Sequence, residues 1–504
     1  MYPTPLIAGP RPTFADAFEE AAREYGRYEA FVDGTRRLSY AQWHRDADGL
    51  AATLAGRGVA PGDVVAILLP TGIDFAICYG AAQLAGAIGT GINTRLGPRE
   101  IAGILNKCTP RLVIVEDGTV LPDVGRPIDT LPMSALAAAY RGTGLGARRP
   151  RRRHEDPAVI IWTSGTTGIP KGAWFDHRGL YANVTVAGVM GAPFDRRLAA
   201  TPFAHAGFMV KVWEQVAFVI DIVVAPPRCP AADMLRLIVD ERVTFASAVP
   251  AQWAKFVKLP GLAGLRFPHV RLAMSSTAPT PPELIEELTR ILGAPVISRY
   301  AMTEVAGVTG SEPDDDPQVK YRTVGRAQIG VKLQIVDGEG REVPPGEVGR
   351  VRIHAPTAMR GYWNEPVLTA TVLSPDGWIT SGDLGRLDPQ GNLILAGRVG
   401  DMYIRGGYNV YPLEVENVLT EHPAVAAAAV VGVPAPVLGE IGVAFVVPAD
   451  RGAPPDLETL RAWTRARIAD YKAPDRLVIV EELPVNAMQK VDKNALRAAP
   501  QAQG

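Results

Sequence analysis

The stretch Thr163-Ser164-Gly165-Thr166-Thr167-Gly168-Ile169-Pro170-Lys171-Gly172 decides the reading of this chain. It follows Pro157-Ala158-Val159-Ile160-Ile161-Trp162, an apolar run of the length of a buried strand. Glycines at 165, 168 and 172 let the backbone approach an anion closely. The hydroxyls of Thr163, Ser164, Thr166 and Thr167 add donors to the backbone N–H groups, and Lys171 adds a positive charge. The anion that suits all of these is the phosphate chain of a nucleotide. The stretch is not a P-loop, which needs Gly immediately before the lysine and Ser or Thr immediately after it. Here Pro170 precedes Lys171 and Gly172 follows.

Working outward, 504 residues exceed one compact core and imply two or more domains. Lys+Arg 52 against Asp+Glu 53 gives no net field to draw nucleic acid or an anionic membrane. Only Cys78, Cys108 and Cys229 occur, widely spaced, which argues against a disulfide framework or zinc site and fits a reducing cytoplasm. Met1–Pro5 lacks a signal-peptide pattern, and the apolar stretch near Trp213–Pro226 is broken by Glu214, Gln215 and Asp221, so no membrane span is expected. The run Arg148–Arg153, without interleaved aromatics and just before Glu155 and Asp156, reads as a solvated connection rather than an RNA site.

The first third alternates helical and strand patterns. Helices are expected over Phe14–Tyr25, from the Ser39–Gln42 capping box to about Leu54, over Phe75–Ala85 and over Glu100–Asn106. Strands are expected over Val64–Leu69 and Leu112–Val115. Such alternation implies mainly parallel sheets covered by helices. After the glycine-rich stretch, Thr201–Met209 joins an apolar wall to His205, which from this segment alone reads equally as a packed core histidine. Ser276, Thr277 and Ala278 form a small-residue turn against which a planar base fits. Tyr300, Thr303 and Glu304 bring an aromatic face, a hydroxyl and a carboxylate into five residues, a set that suits a purine, a phosphate and a magnesium ion. From Val324 the pattern changes to short strands and Gly/Asp turns, a small antiparallel or barrel-like sheet. Asp383, at a Gly turn, suits ribose hydroxyls. Gly-rich turns between Gly397 and Asp401 mark a linker, and the remainder reads as a small α+β domain ending near Lys490.

In this order, Thr163–Gly172, Tyr300–Glu304, Ser381–Asp383, Gly397–Arg398 and Lys490 resemble the adenylate-forming superfamily of acyl-CoA synthetases, peptide-synthetase adenylation domains and luciferases. The resemblance covers nearly the whole chain. It implies an α/β fold with a large N-terminal domain over residues 1–398 and a small mobile C-terminal domain over 399–504. Residues 163–168 and Lys171 would grip the outer phosphates of ATP. Tyr300 would stack on adenine, near Ser276, Thr277 and Ala278. Thr303 would contact phosphate, Asp383 hold the ribose and Arg398 the nucleotide. Glu304, with Thr163, would hold magnesium, and Lys490 would reach the carboxylate and α-phosphate. Gly406 and Gly407 would line the coenzyme A tunnel, and His205 occupies a position that gates the acyl pocket.

The implied activity is AMP-forming ligation of a carboxylic acid to coenzyme A, with a carrier-protein thiol as the alternative acceptor and a non-catalytic nucleotide-binding protein as the remote one. Phe203–Phe208 lacks the aspartate that pairs an α-ammonium, so amino acids are disfavoured. Phe203, Phe208, Met209 and Val212 favour an apolar fatty, alicyclic or aromatic acid. A homodimer is left open. The chain departs from the family pattern at Ala301, Ser381, Gly400 and Gln489, and the basic residues relatives use for the coenzyme A nucleotide are thin around Tyr471–Asp475.

Overall fold

The structure, a computed structural model, describes residues 2–7, 13–163, 170–226, 229–262, 264–276, 280–486 and 490–499. Local signals build the first elements as expected. The Thr13 hydroxyl accepts from the Asp16 N–H and opens the helix Phe14–Tyr25, whose Phe14, Ala17, Phe18 and Ala21 stripe is buried. Ser39 and Gln42 close a reciprocal cap on the helix Tyr40–Gly56, satisfying two otherwise orphaned N–H groups.

Among the described residues the strands form four sheets. One runs in the order Gly361–Tyr362, Lys171–Asp176, Pro157–Thr163, Ile88–Gly91, Val64–Leu68, Leu112–Val115, Asp129–Pro132, parallel from Pro157–Thr163 onward. A larger one runs Arg326–Ala327, Thr309–Gly310, Val296–Tyr300, Leu272–Ser276, Phe245–Ala248, Arg196–Ala199, Asp221–Val224, Glu29–Asp33, Arg36–Ser39, with antiparallel edges on a parallel centre. The helix Ile73–Leu84 touches strands of both sheets, and all of its residues except Asp74 are buried. A helix apolar on every side has to lie inside a core, and this one does.

The third sheet, Lys332–Val336, Gly349–His354, Ile379–Leu387 and Leu393–Arg398, is antiparallel and open rather than a closed barrel. Its last strand ends at Arg398, and Tyr403–Arg405 already belongs to the C-terminal sheet with Tyr408–Val410, Gly439–Pro448, Val425–Ala435 and Arg476–Ile479.

Two further segments bear on how the chain folds. Phe245–Trp253 is a strand to Ala248 and then a helix, Pro250–Phe256, because Pro250 at the first helical position sets the required φ and lacks only an N–H that would be unpaired anyway. The arginine run is spent on ion pairs: Arg149 with Glu19 (2.6 Å) and Asp48 (3.7 Å), Arg152 and Arg153 with Asp156 (3.3 Å each). No helix among the described residues is long and apolar enough to cross a membrane.

Candidate active site

The glycine-rich stretch connects two neighbouring antiparallel strands, Pro157–Thr163 and Lys171–Asp176. Thr163 ends one strand and pairs with Lys171, which begins the next. Ser164, Gly165, Thr166, Thr167 and Gly168 lie outside the described residues, as do Thr277, Ala278 and Gln489. The end of the stretch is pinned from elsewhere: Lys107 donates to the Pro170 carbonyl at 3.0 Å and pairs with Glu365 at 3.0 Å. Gly172 cannot carry a side chain, since a Cβ there would stand 2.8 Å from both Ile160 and Trp162.

The strand Val296–Tyr300 delivers Tyr300 to the edge of the large sheet. Its ring is buried, and its hydroxyl donates to Asp383 Oδ2 at 2.6 Å. Burial pushes the phenol well above its ordinary pKa, and Asp383 adds to the effect, so Tyr300 remains a donor. Asp383 and Arg398 face one another across neighbouring strands, and Arg398 Nε donates to Asp383 Oδ1 at 2.9 Å. The Ser381 hydroxyl accepts the Asp383 N–H at 3.1 Å. Tyr300 and Arg398 therefore fix the two oxygens of one carboxylate, and Ser381 holds its backbone. Ser276 closes the adjacent strand, paired in register with Arg299.

Glu304 follows Tyr300 in a turn that also holds the half-buried Thr303. Its carbonyl accepts from Met359 N–H, and its Oε1 accepts from the Tyr362 hydroxyl at 2.8 Å. Lys171 Nζ lies 5.6 Å from the centroid of the same Tyr362 ring. Tyr362 thus joins the end of the glycine-rich stretch to the acidic residue, a role invisible in the sequence because the partners are 58 positions apart. Oε2 of Glu304 carries no hydrogen bond to a described residue, which leaves an oxygen for a cation. No cluster of three or more His, Cys, Asp or Glu exists among the described residues. One carboxylate plus substrate oxygens fits magnesium, which keeps most of its ligands outside the protein.

Lys490 is brought to this cleft from the C-terminal sheet's side. Its loop is closed by Asn486, whose N–H donates to the Lys490 carbonyl at 2.8 Å. Burial lowers the pKa of its ammonium and the Arg398 charge lowers it further, while Asp383 and Glu304 work against this. His205 caps the short helix Ala206–Met209, its Nδ1 accepting from Gly207 N–H at 3.2 Å. Burial takes its pKa down to about 4, helped by Lys490, so the imidazole is neutral with its proton on Nε2. Lys490, His205, Glu304, Asp383 and Arg398 therefore share one electrostatic neighbourhood.

Not every candidate joins it. Gly406 (φ 56°) and Gly407 (φ 87°) form the turn of the hairpin Tyr403–Arg405 and Tyr408–Val410, where both positions need left-handed backbone. Among the described residues no hydrogen bond or ion pair links them to the others. Phe203, Phe208, Met209 and Val212 are buried in the main core, with Phe203 and Phe208 stacked at 3.9 Å and packed on Phe31 and Phe75.

Residues 18–363 match the family described as AMP-binding enzyme, and residues 414–490 its C-terminal domain. The methyl-dioxo-octahydroindenyl propanoyl:CoA ligase of Rhodococcus jostii (strain RHA1) is 32% identical, over 96% of this chain and 98% of that protein. The fatty acid–acyl-carrier-protein ligase ScoC of Streptomyces coeruleorubidus is 33% identical, over 92% and 91%. Among solved structures, the anthranilate CoA ligase AuaEII with anthranoyl-AMP superposes with a TM-score of 0.89 at 25% identity, covering 98% of each chain. The chain belongs to the AMP-binding, adenylate-forming enzymes, within their acyl-CoA ligase branch.

Proposed function

We propose that this enzyme activates a carboxylic acid without an α-ammonium as its acyl-adenylate and passes the acyl group to the thiol of coenzyme A. The observation that carries the reading is the convergence of Lys490 with Asp383, Arg398, Glu304 and His205 at the mouth of the glycine-rich stretch. In the first step a carboxylate oxygen attacks the α-phosphorus of ATP and pyrophosphate leaves. Both reactants are anionic. Lys490 offsets their repulsion between the carboxylate and the α-phosphate, and Lys171 and the stretch from Thr163 hold the departing phosphates. Tyr300 lies along the adenine, and Asp383, oriented by Tyr300 and Arg398, receives the ribose hydroxyls. Neutral His205 offers Nε2–H toward the acyl oxygen without adding a second cation beside Lys490. Glu304, with Thr163 and Thr303 nearby, would hold magnesium, which neutralises phosphate charge when bound.

In the second step the thiol sulfur attacks the acyl carbonyl, the thiol proton goes to solvent, and AMP leaves. No general base is needed, since AMP is already a good leaving group. The two steps need different groups at one carbonyl, and a rotation near Gly400 would exchange Lys490 for the Gly406–Gly407 turn. Two features support a pivot there. A Cβ at Gly400 would meet nothing within 4 Å. Arg497, on the helix Lys493–Ala498 that follows Lys490, donates to the Gly400 carbonyl at 3.3 Å and to Asp401 at 3.0 Å. Pivot and lysine loop are tied by one side chain.

A carrier-protein thiol is the second reading. Asp475 favours it, because both its oxygens are engaged by Arg405 (3.2 and 2.9 Å to Nε), leaving an acid where a phosphorylated nucleotide would want a base. A panel of carboxylic acids, assayed for AMP with and without coenzyme A, tests both. Thioester formation on coenzyme A supports the first, and pyrophosphate release that coenzyme A cannot convert to thioester supports the second.

A further inference from the structure

Beside Tyr300, on the inner face of the large sheet, lies a group of charges that the chemistry above does not use. Arg299 has a side chain only 6% exposed, and its Nε, Nη1 and Nη2 have no hydrogen-bond partner among the described residues. Among the described residues its one ion pair, with Glu312, is loose at 3.6 Å. Lys211, two residues beyond the helix that His205 caps, offers Nζ among the described residues to Met190 Sδ at 4.0 Å. Arg197 Nη2 donates to Glu214 and to the Met190 carbonyl, while its Nε has no hydrogen-bond partner among the described residues. The surrounding charges are Lys211, Arg197, Arg299 and Arg326 against Glu214, Glu312 and Asp315, an excess of one cation.

The surroundings are apolar. Met190, Phe245, Leu272, Met274 and Ile297 form a small cluster separate from the main core. Ile297 and Arg299, two apart on one strand, present to the same face. A guanidinium with no hydrogen bond in such a setting is costly unless an anion meets it closely, and the planar guanidinium grips a carboxylate through two parallel N–H bonds. The position is suited to an acyl chain: His205 marks the reacting end, and six residues of near-helical rise place Lys211 about 9 Å further along.

We propose that the acid carries a second anionic group, a distal carboxylate, held by Arg299 with Lys211, its body lying over Met190, Met274 and Ile297. This rests on the reading of the chain as an acid-activating enzyme. It makes Arg299 and Lys211 specificity-determining residues rather than catalytic ones.

The test is ATP–pyrophosphate exchange with dicarboxylic acids and monocarboxylic acids of equal length, such as adipate against hexanoate and terephthalate against 4-methylbenzoate. The dicarboxylates are expected to lead in kcat/KM by about tenfold to a hundredfold, the size of lost hydrogen bonds to a charged group. Arg299→Met should erase that lead through KM while leaving the monocarboxylates unchanged or improved, and Lys211→Met should erase part of it. If Arg299→Met fails to fold, Arg299→Lys and Lys211→Met decide the matter. Exchange with monocarboxylates that equals or exceeds the dicarboxylates, with no selective loss in the variants, overturns the proposal alone. Exchange with no acid of either series overturns the activity reading and the proposal together.

Discussion

Replacing Lys490 with alanine separates the two half-reactions. The ammonium is the one group from the C-terminal loop that acts on the cleft containing Asp383, Arg398 and Glu304. Between a carboxylate and an α-phosphate, a unit charge at about 4 Å is worth about 4 kcal/mol at the effective dielectric of a partly open site. Lost from the transition state alone, that is about a thousandfold in rate. The second half-reaction forms a thioester and AMP from a thiol and an adenylate whose charge repulsion is already spent, so it should lose little. Acid-dependent ATP–pyrophosphate exchange measures the first half, and thioester formation from supplied acyl-AMP measures the second. Lys490→Arg should recover part of the first, since charge matters more than shape there. Equal losses in both halves would refute the role given to this lysine, and so would an exchange rate within a few-fold of the parent.

Other expectations follow from particular contacts. Tyr362→Phe removes the hydroxyl that holds Glu304 Oε1 at 2.8 Å, and a hydrogen bond to a charged group is worth about 1.5–3 kcal/mol. KM for magnesium–ATP should rise tenfold or more with the fold intact, read by initial rates at varied magnesium. Arg497→Ala frees the Gly400 carbonyl and Asp401, so exchange should slow several-fold while thioester formation from acyl-AMP is kept. His177, buried and accepting from the Phe14 N–H, has its pKa lowered to about 4 by burial, with Arg152 contributing. Its folded-state pKa lies below the unfolded value, so it favours the fold fully above about pH 6.5, and this contribution is lost as pH falls toward 4. Urea midpoints taken between pH 7 and 4 should fall, and less steeply in His177→Asn.

Much of this arrangement is written in local sequence. Phe14–Tyr25 and Leu112–Val115 have the bounds their periodicity and flanking residues imply, because cap and stripe are both contained within a dozen positions. The reversal of direction across the glycine-rich stretch is less legible, since Lys171–Asp176 turns back antiparallel within a sheet that is otherwise parallel beyond it. Contacts between distant segments leave no local trace. Tyr362 beside Glu304 and Lys107 beneath Pro170 arise only once separate strands and helices meet. The apolar residues around His205 are less legible: Phe203 and Phe208 read as a wall for a ligand, and the structure buries both rings beside Phe31 and Phe75. Arg299, adjacent to Tyr300 in sequence, carries no local signal, because a lone arginine in a strand normally reaches solvent.

The central claim, that the acid's own oxygen displaces pyrophosphate at the α-phosphorus, is tested most directly by following that oxygen. An acid labelled with oxygen-18 in its carboxyl group should deliver one labelled oxygen into AMP on complete turnover with coenzyme A, read by mass spectrometry. Unlabelled AMP, or ADP as the nucleotide product, would contradict the account.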